Sequence, residues 1–478
     1  MTEYWIENIV FDEIKIGDSA HMLRHLTRRD IELFAVVSGD VNPAHLDETY
    51  AKTDRFHGLV AQGLLSGAWI SAVLGTKLPG SGTIYLSQEL KFLKPVRPDD
   101  TIDVRVTVCS KDPVKKTVVF DCRCTNQDGQ EVVSGTALVI APTEKTRRPT
   151  IELPDVEILH HDRLKLLVEK AKHLSPLRTA IVHPCDSVSL EGMEAAAREG
   201  LIVPILVGPE AKIRSAAQAA NISLDNYQLI PTPHSHAAAA AAVELARSGK
   251  VDALMKGSLH TDELMSAVVD HDHGLRTDRR MSHVFVMDVP SYKWPLLITD
   301  AALNIAPSLI DKMHICQNAI YLAHDLDIAE PKVALLAATE TVSADMPATI
   351  DAAALCKMAA RGQITGGILD GPLAFDNAIS TASLQIKGIT SSVAGQADIL
   401  VVPSIEAGNM LAKQLDYMAA AESAGIVLGA RVPIILTSRA DRAHARLASA
   451  ALAVLSAEGE KARLTAKTPA AKTMTDKT

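Results

Sequence analysis

The sequence predicts two domains of different fold class, an α+β domain followed by an α/β domain. Over residues 84–140, apolar and polar residues alternate with a period of two, directly after one long apolar helical pattern. Beyond residue 160, strand-like and helix-like segments alternate regularly, which is typical of parallel sheets covered by helices. A stretch with three prolines and mixed charge separates the two patterns and is typical of a linker. A chain of 478 residues has room for two or three domains.

The first domain is predicted over residues 1–145, around one long helix. From Gly58 to Leu78, apolar residues occur on more than one helical face, so this helix is expected to be buried on most sides. Four strand candidates follow, separated by Pro, Gly and Asp turns: Ile84–Leu90, Thr101–Cys109, Lys116–Asn126 and Glu131–Ile140. An antiparallel sheet around a single buried helix is the hotdog arrangement, an α+β form.

The second domain is predicted to consist of two lobes. About 300 residues are too many for one parallel sheet, so we expect a cleft between lobes, with ligands at the carboxyl ends of the strands that line it. The predicted limits are a linker at 146–160, the domain at 161–464, lobe I at 161–305 plus 437–464, lobe II at 306–436, and a disordered Ala/Thr/Lys/Pro-rich tail at 465–478.

The amino-acid composition argues against several classes of partner and site. The net charge is −9, from 48 basic and 57 acidic residues, which argues against nucleic acid or an anionic membrane as the main partner. The N-terminus has no basic segment followed by an apolar one, and no run approaches about 18 apolar residues. The six cysteines show no CxxC spacing, which favours reduced thiols in the cytoplasm over a zinc site.

The run Ser38–Asp47 is the first candidate site. A glycine and an Asn-Pro pair bend the chain there, and they leave Asp40 and His45 five residues apart on a short, constrained segment. A carboxylate and an imidazole held in this way can share one water molecule as a general acid/base pair. The structural alternative is a turn with an Asx cap and a surface histidine. Asp47 is interpreted as a cap for the helical segment after His45.

The sequence from Phe34 to Asp47 resembles the signature of the MaoC-like, (R)-specific enoyl-CoA hydratases, and the resemblance covers roughly residues 10–140. It implies that Asp40 and His45 activate the water that adds to the 2,3 double bond of an enoyl thioester. Such an addition also needs a proton for the α-carbon and stabilisation of enolate charge on the carbonyl oxygen.

The same resemblance assigns two further positions on the central helix. The backbone amide of Gly63 is expected to polarise the thioester carbonyl, and Ser71 is expected to help hold the active-site water. Gln62 departs from the family pattern, because many members have His before this glycine.

A second set of polar segments follows predicted strands in the second domain. These segments are Asp370–Asp376, Pro403–Asn409 and Leu436–Asp441. In Pro403–Asn409 a serine stands between a strand and the start of a helix, where free amides and the helix dipole favour an anion.

Together these segments resemble the phosphate acetyl/butyryltransferase family over about residues 160–460. Supporting segments are Asp252–Gly257, Gly274–Thr277, Met281–His283 and Val393–Asp398. The resemblance implies direct attack of a CoA thiolate on an acyl phosphate, without a covalent enzyme intermediate or a cofactor. The expected substrates are therefore CoA thioesters and phosphate.

The family resemblance also assigns residues in this domain. Ser438 and Arg439 match the pair that holds the acyl phosphate, and Ser404, Gly408, Asn409 and Asp441 are expected to bind substrate. The acetyltransferase branch has its base Asp a few residues later than Asp441, so the identity of the base stays open.

Three functions remain to be compared. The leading hypothesis is a bifunctional enoyl-CoA hydratase and phosphate acyltransferase, expected to form a homo-oligomer because a hotdog sheet leaves an open edge. In the second, the C-terminal part is a non-catalytic CoA-binding or assembly module. The third is a metal-dependent decarboxylating dehydrogenase of the isocitrate/isopropylmalate dehydrogenase-like two-lobed fold. In the sequence only Asp370 and Asp376 are placed for a metal, and no nucleotide-binding glycine fingerprint follows the first strand.

Overall fold

The structure is a computed structural model that describes residues 5–151, 153–154, 156, 158, 163–292, 295–436 and 443–467. The chain divides into two compact units, Met1–Ile158 and Leu159–Thr478. Each unit has its own hydrophobic core.

The first unit combines short strands with four helices in its described part. Its elements in chain order are β1 (Trp5–Glu7), β2 (Ser19–His25), α1 (Arg28–Ser38), α2 (Pro43–Leu46), α3 (Glu48–Thr53), α4 (Gly63–Thr76), β3 (Ile84–Phe92), β4 (Thr101–Asp112), β5 (Thr117–Thr125), β6 (Glu131–Ile140) and β7 (Arg147–Pro149).

An antiparallel five-stranded sheet in the order β2-β4-β5-β6-β3 packs around α4. The inward positions of β4 and β5 alternate with outward ones, and they meet Ile70, Val73 and Leu74 of the helix in one core. This is the arrangement that the period-two pattern and the apolar helix predict. The strands begin or end within a few residues of their predicted limits.

The central helix is shorter than predicted. It begins at Gly63 rather than at Gly58, because Gly58 has a φ of 152° and residues 59–62 are not helical. The N–H of Ala61 donates to the carbonyl of Val96 at 2.8 Å. The predicted linker is also not entirely irregular, since β7 lies in it and pairs with β1.

The second unit alternates strands with helices. Its described elements are α5 (Arg163–Ala171), β8 (Leu177–Val182), α6 (Ser187–Arg198), β9 (Ile202–Gly208), α7 (Glu210–Ala219), β10 (Gln228–Pro231), α8 (Ser235–Arg247), β11 (Ala253–Lys256), α9 (Thr261–Val268), β12 (Ser282–Asp288), β13 (Leu296–Thr299), α10 (Leu309–Asp325), β14 (Lys332–Leu336), α11 (Pro347–Ala360), β15 (Ile368–Leu373), α12 (Phe375–Ile379), α13 (Thr381–Lys387), β16 (Ile399–Val401), α14 (Ile405–Met418), β17 (Glu422–Leu428), β18 (Ile434–Ile435) and α15 (Ala443–Lys467).

The described strands of this unit form one eleven-stranded sheet in the order β10-β9-β8-β11-β18-β17-β12-β13-β16-β14-β15. The prediction of parallel pairing throughout is wrong at its centre, where β12 runs antiparallel to both β13 and β17, and β17 antiparallel to β18. The strands on either side of this centre therefore point in opposite directions. The carboxyl ends of β8, β11 and β18 lie at one edge of the sheet, and those of β13, β16 and β14 at the other.

The end of the second unit also differs from the prediction. Helix α15 continues to Lys467, so residues 465–467 of the predicted tail are helical, and residues 468–478 lie outside the described part. Among the described helices, none is long and apolar enough to cross a membrane. The two-lobed, isocitrate/isopropylmalate dehydrogenase-like arrangement stays a prediction.

Candidate active sites

Asp40 and His45 face each other across the turn between α1 and α2. Gly39 ends α1 in the left-handed conformation with a φ of 73°, and Asn42 caps α2, whose first residue is Pro43. This local chemistry brings Oδ2 of Asp40 to 3.8 Å from Nε2 of His45. That distance is too long for a direct hydrogen bond, but one small molecule can lie within hydrogen-bond distance of both atoms.

A backbone carbonyl fixes the orientation of the His45 ring. Nδ1 lies 2.8 Å from the carbonyl oxygen of Val60, and because a carbonyl can only accept, Nδ1 carries the proton. In the neutral ring Nε2 is then left as an acceptor toward Asp40. The Asp40 side chain is 45% exposed and that of His45 only 13%, so the pair lies at the surface with its imidazole largely enclosed.

Gly63 is the first residue of α4, where backbone N–H groups have no acceptor within the helix. The side chain of Gln62, the residue before the helix, makes no capping hydrogen bond. Within the described chain, no protein group accepts the Gly63 N–H. A Cβ at this position would lie 3.2 Å from the ring of Phe92, so the backbone and the ring are in close contact.

The segment before α4 connects Gly63 to the acid/base pair. Val60 accepts the hydrogen bond from His45, and Ala61 donates to Val96 at 2.8 Å. Only two residues separate Val60 from Gly63, so the imidazole and the helix N-terminus are held on one short stretch.

The structure places two other residues of this motif. Ser71 is an exposed residue of α4, eight positions after Gly63, which corresponds to about 12 Å along the helix axis. Its role in holding water stays a prediction. The interpretation of Asp47 as a cap is confirmed, because its carboxylate accepts hydrogen bonds from the N–H groups of Thr49 and Tyr50 at 2.8 and 3.1 Å.

In the second unit, the N-terminus of α14 is occupied by protein groups. Ser404 is its cap and accepts from the N–H of Ala407 at 3.5 Å, while Ile405 donates to the carbonyl of Ile305 at 3.0 Å. Hydrogen bonds from its own N–H and from the Ser404 hydroxyl lower the pKa of Glu406. The amides that the sequence offered to an anion therefore already have partners, and a carboxylate stands beside them.

Gly408 and Asn409 hold α14 against the loop that follows β13. A Cβ on Gly408 would lie 2.8 Å from the carbonyl oxygen of Asp300, so only glycine permits this approach. The amide nitrogen of Asn409 donates to the carbonyl of Ala301 at 3.3 Å. Both residues therefore have a packing role in the described structure, and their contact with substrate stays a prediction.

The loop after β13 is a polar site that the sequence reasoning missed. Asp300 is buried and accepts from the N–H groups of Ala302 and Leu303 at 2.9 and 3.0 Å, and from the side-chain amide of Asn304. Burial raises the pKa of this carboxyl. Asn304 in turn accepts from Nε of Arg280 at 2.7 Å, which leaves a half-exposed guanidinium at this edge. An Asp directly after a buried strand, with an Asn four residues later, is the signal that could have found the loop.

At the opposite edge, a cleft of about 520 Å³ lies beside the carboxyl end of β8. Its polar lining includes Asp186, Ser187 and Lys212, and Cys185 also lines it. This is the kind of position at which an α/β sheet binds ligands, and Lys212 supplies a cation there.

The acyl-phosphate residues predicted from the sequence, Ser438 and Arg439, lie outside the described residues, as does Asp441. The strand that precedes them, β18, ends at the sheet edge opposite to the end of β16, which precedes Ser404. The two polar segments thus follow strands that point in opposite directions, which a purely parallel sheet would not allow.

The two aspartates considered for a metal are engaged with protein groups. Asp370 accepts from the N–H of Gly371 at 2.8 Å, and Asp376 lies 3.3 Å from Nζ of Lys387. In the described ranges, no group of three or more His, Cys, Asp or Glu side chains is placed to hold a metal ion.

Family comparisons divide the chain in the same way as the structure. Residues 16–128 match the family described as MaoC like domain, and residues 232–454 match Phosphate acetyl/butaryl transferase. A phosphate acetyltransferase of Rhizobium meliloti is 58% identical over 296 residues, covering 62% of this chain and 94% of that protein.

Two solved structures are similar to separate parts of the chain. A branched-chain phosphotransacylase from Enterococcus faecalis V583 matches with a TM-score of 0.52 and 28% identity, over 59% of this chain and 99% of that one. The unliganded R-hydratase PhaJ1 from Pseudomonas aeruginosa matches with 44% identity and a TM-score of 0.32, over 32% of this chain and 99% of that one.

Proposed function

The chain belongs to the phosphate acetyl/butaryl transferase family and carries a MaoC-like domain ahead of that region, and we propose that it is a bifunctional enzyme of acyl-CoA metabolism. The N-terminal domain hydrates a 2-enoyl-CoA to an (R)-3-hydroxyacyl-CoA. The C-terminal domain transfers an acyl group between CoA and phosphate. The observation that carries the first activity is the 3.8 Å approach of Asp40 to a His45 ring whose tautomer is fixed by Val60.

In the proposed hydration, a water molecule lies between Asp40 and His45. The pair removes a proton from this water as its oxygen bonds to the β-carbon, and a proton is returned to the α-carbon. The electrons of the double bond move toward the thioester oxygen, where the N–H of Gly63 stabilises the developing charge. One C–O bond and one C–H bond form, while the π bond of the substrate and one O–H bond of water break.

Hydration of crotonyl-CoA by the purified chain tests this activity. Asp40→Asn keeps the size of the side chain but removes the base, so we expect hydration to fall by at least about 100-fold. Asp47→Asn is the matched control, because it removes a carboxylate from the same segment and retains a side chain that can cap α3. Equal activity of the two variants would refute the assignment of Asp40.

In the proposed transfer, the CoA thiolate attacks the carbonyl carbon of an acyl phosphate and phosphate leaves. The protein must orient the phosphate and neutralise its charge, and the family motif assigns this to Ser438 and Arg439. In the reverse direction, from acyl-CoA and phosphate, Arg439→Ala should raise the phosphate concentration needed for transfer at least about tenfold, because a charge-assisted contact is lost. Arg431→Ala removes an exposed arginine nearby in sequence and serves as the control. Unchanged transfer kinetics in Arg439→Ala would contradict the assignment.

A second candidate function for the C-terminal domain is a non-catalytic CoA-binding or assembly module. The occupied N-terminus of α14, with Glu406 beside it, favours this alternative because it disfavours a phosphate at that helix. Arsenolysis of acetyl-CoA by the intact protein distinguishes the two. A binding module would release no CoA, whereas an acyltransferase would turn over.

The proposed enzyme needs no cofactor, works in the cytoplasm and forms a homo-oligomer. Both reactions use only CoA thioesters, water and phosphate, and require no cofactor. A reducing cytoplasm suits the six cysteines, none of which forms a disulfide. Homo-oligomer formation is supported by β3, whose outer edge has no partner strand among the described residues of the first unit.

A further inference from the structure

Gln62 is a buried polar residue directly before the proposed oxyanion amide. Its side chain is only 2% exposed, and Nε2 donates to the carbonyl oxygen of Ile31 at 3.3 Å. The other half of the amide, Oε1, is buried without a hydrogen-bond partner. A buried acceptor without a partner destabilises a fold, so a glutamine at this position needs an explanation beyond packing.

The hydrogen bond from Gln62 connects two parts of the proposed hydratase site. Ile31 is a buried residue of α1, the helix that ends just before Asp40. Gln62 shares a peptide group with Gly63, whose N–H points from the start of α4. One side chain thus ties the helix that leads to the carboxylate to the peptide that presents the amide.

The peptide between Gln62 and Gly63 is also held by contacts with α4 and with the ring of Phe92. Its carbonyl accepts from the N–H of Leu65 at 3.1 Å within the first turn of α4. The N–H of the preceding residue, Ala61, donates to the carbonyl of Val96. Among the hydrogen bonds described for this segment, the one from Gln62 to Ile31 joins it to α1.

We propose that Gln62 is a positioning residue for hydration: its bond to Ile31 sets the separation between the Asp40–His45 pair and the Gly63 N–H. This role rests on the proposed hydratase function. The amide must lie at hydrogen-bond distance from the thioester oxygen while the pair lies at the β-carbon, so the separation must match the length of the enoyl thioester. Loss of the hydrogen bond from Gln62 to Ile31 should affect the stability of the transition state more than substrate binding.

The test compares Gln62→Met, Gln62→His and Leu65→Met in the full-length chain. Methionine fills a similar volume but cannot donate to Ile31, and it also removes the unsatisfied acceptor. Histidine keeps a ring N–H that can donate to the same carbonyl. Leu65→Met changes a buried side chain in the first turn of α4 and leaves the hydrogen bond from Gln62 to Ile31 in place. The readouts are kcat and KM for crotonyl-CoA hydration and the thermal midpoint of unfolding.

We expect Gln62→Met to lower kcat at least about tenfold with KM within about twofold, because misplacement of a catalytic group acts on the transition state. Its thermal midpoint should be equal to or above that of the wild type. Gln62→His should recover part of kcat, and Leu65→Met should retain it.

If the wild-type chain hydrates crotonyl-CoA, either of two results would overturn the proposed role of Gln62. One is wild-type kcat in Gln62→Met. The other is a loss of kcat that parallels a fall in thermal midpoint and is not recovered by histidine, since that describes a residue that only stabilises the fold. A folded wild type without any hydration would instead refute the hydratase function, and this role with it.

Discussion

At the residue scale, Gly63 shows how the absence of a side chain positions a reactive amide. A Cβ there would lie 3.2 and 3.3 Å from two ring carbons of Phe92, so Gly63→Ala must displace the ring or the peptide by a few tenths of an ångström. Because an oxyanion donor is sensitive to such shifts, we expect about a tenfold or larger fall in kcat for hydration. Steady-state kinetics with crotonyl-CoA measure this effect.

Gly75→Ala is the matched control for this substitution. Gly75 lies in the same helix, and a Cβ there would meet no atom within 4 Å. Alanine favours a helix over glycine by about 1 kcal/mol, so this variant should be active and slightly more stable. A similar loss of kcat in both variants would show that the helix in general, and not the amide of Gly63, was disturbed.

Because His283 is buried, we expect the free energy of unfolding to depend on pH. It lies fully buried on β12, stacked edge-on against Phe285, and Nδ1 has no hydrogen-bond partner. Burial lowers the pKa of His283 to about 3, whereas an unfolded histidine titrates near 6.5. Between these values the unfolded chain binds the additional proton, so stability is lost as the pH falls from about 6.5 toward 3.

The size of this effect can be measured by urea unfolding at pH 7.5 and pH 5.0. His283 should contribute up to about 2 kcal/mol of the loss in unfolding free energy between the two conditions. In His283→Gln that contribution is absent, so the variant should lose correspondingly less, whatever its stability at pH 7.5. An identical loss in variant and wild type would contradict a neutral buried imidazole.

The role of a residue could be predicted from the sequence where its contacts are with residues only a few positions away. The turn around Asp40 and the cap at Asp47 follow from Gly, Asn and Pro within a few positions, and the structure has both. The amides after Ser404 look free in the sequence, but one is taken by Ile305, about 100 residues away. Asp300 was missed because its burial depends on packing across the sheet rather than on its neighbours in the chain.

At the element scale, β3 is an edge strand of the first sheet with three exposed apolar side chains. Ile84, Leu86 and Phe92 are each about half exposed, and β3 pairs only with β6 within the described chain. An unpaired, partly apolar edge strand associates readily with a second strand. Leu86→Lys should therefore lower the molar mass measured by light scattering after size exclusion.

Val114→Lys is the control for this prediction. Val114 is 89% exposed in the turn between β4 and β5, away from the edge, so a lysine there adds the same charge without affecting β3. An unchanged mass in Leu86→Lys would show that this edge is not where copies of the chain meet.

Strand positions were predictable from the sequence, but strand direction in the second unit was not. In the first sheet one face is buried, so the alternating pattern marks each strand and nearly its limits. Strands β12 and β13 are buried on both faces, and a continuous apolar run carries no information about direction. The antiparallel centre of the large sheet follows from connections and packing over more than 100 residues.

At the scale of the whole molecule, the two proposed sites belong to separate units. The groups that orient Asp40 and His45, including Val60 and Asn42, all lie in the first unit, and Arg439 belongs by sequence to the second. Asp40→Asn should therefore abolish hydration while acyl transfer stays within about twofold of the wild type, and Arg439→Ala should do the reverse. Both assays on each purified variant measure this independence, and loss of both activities in either folded variant would contradict it.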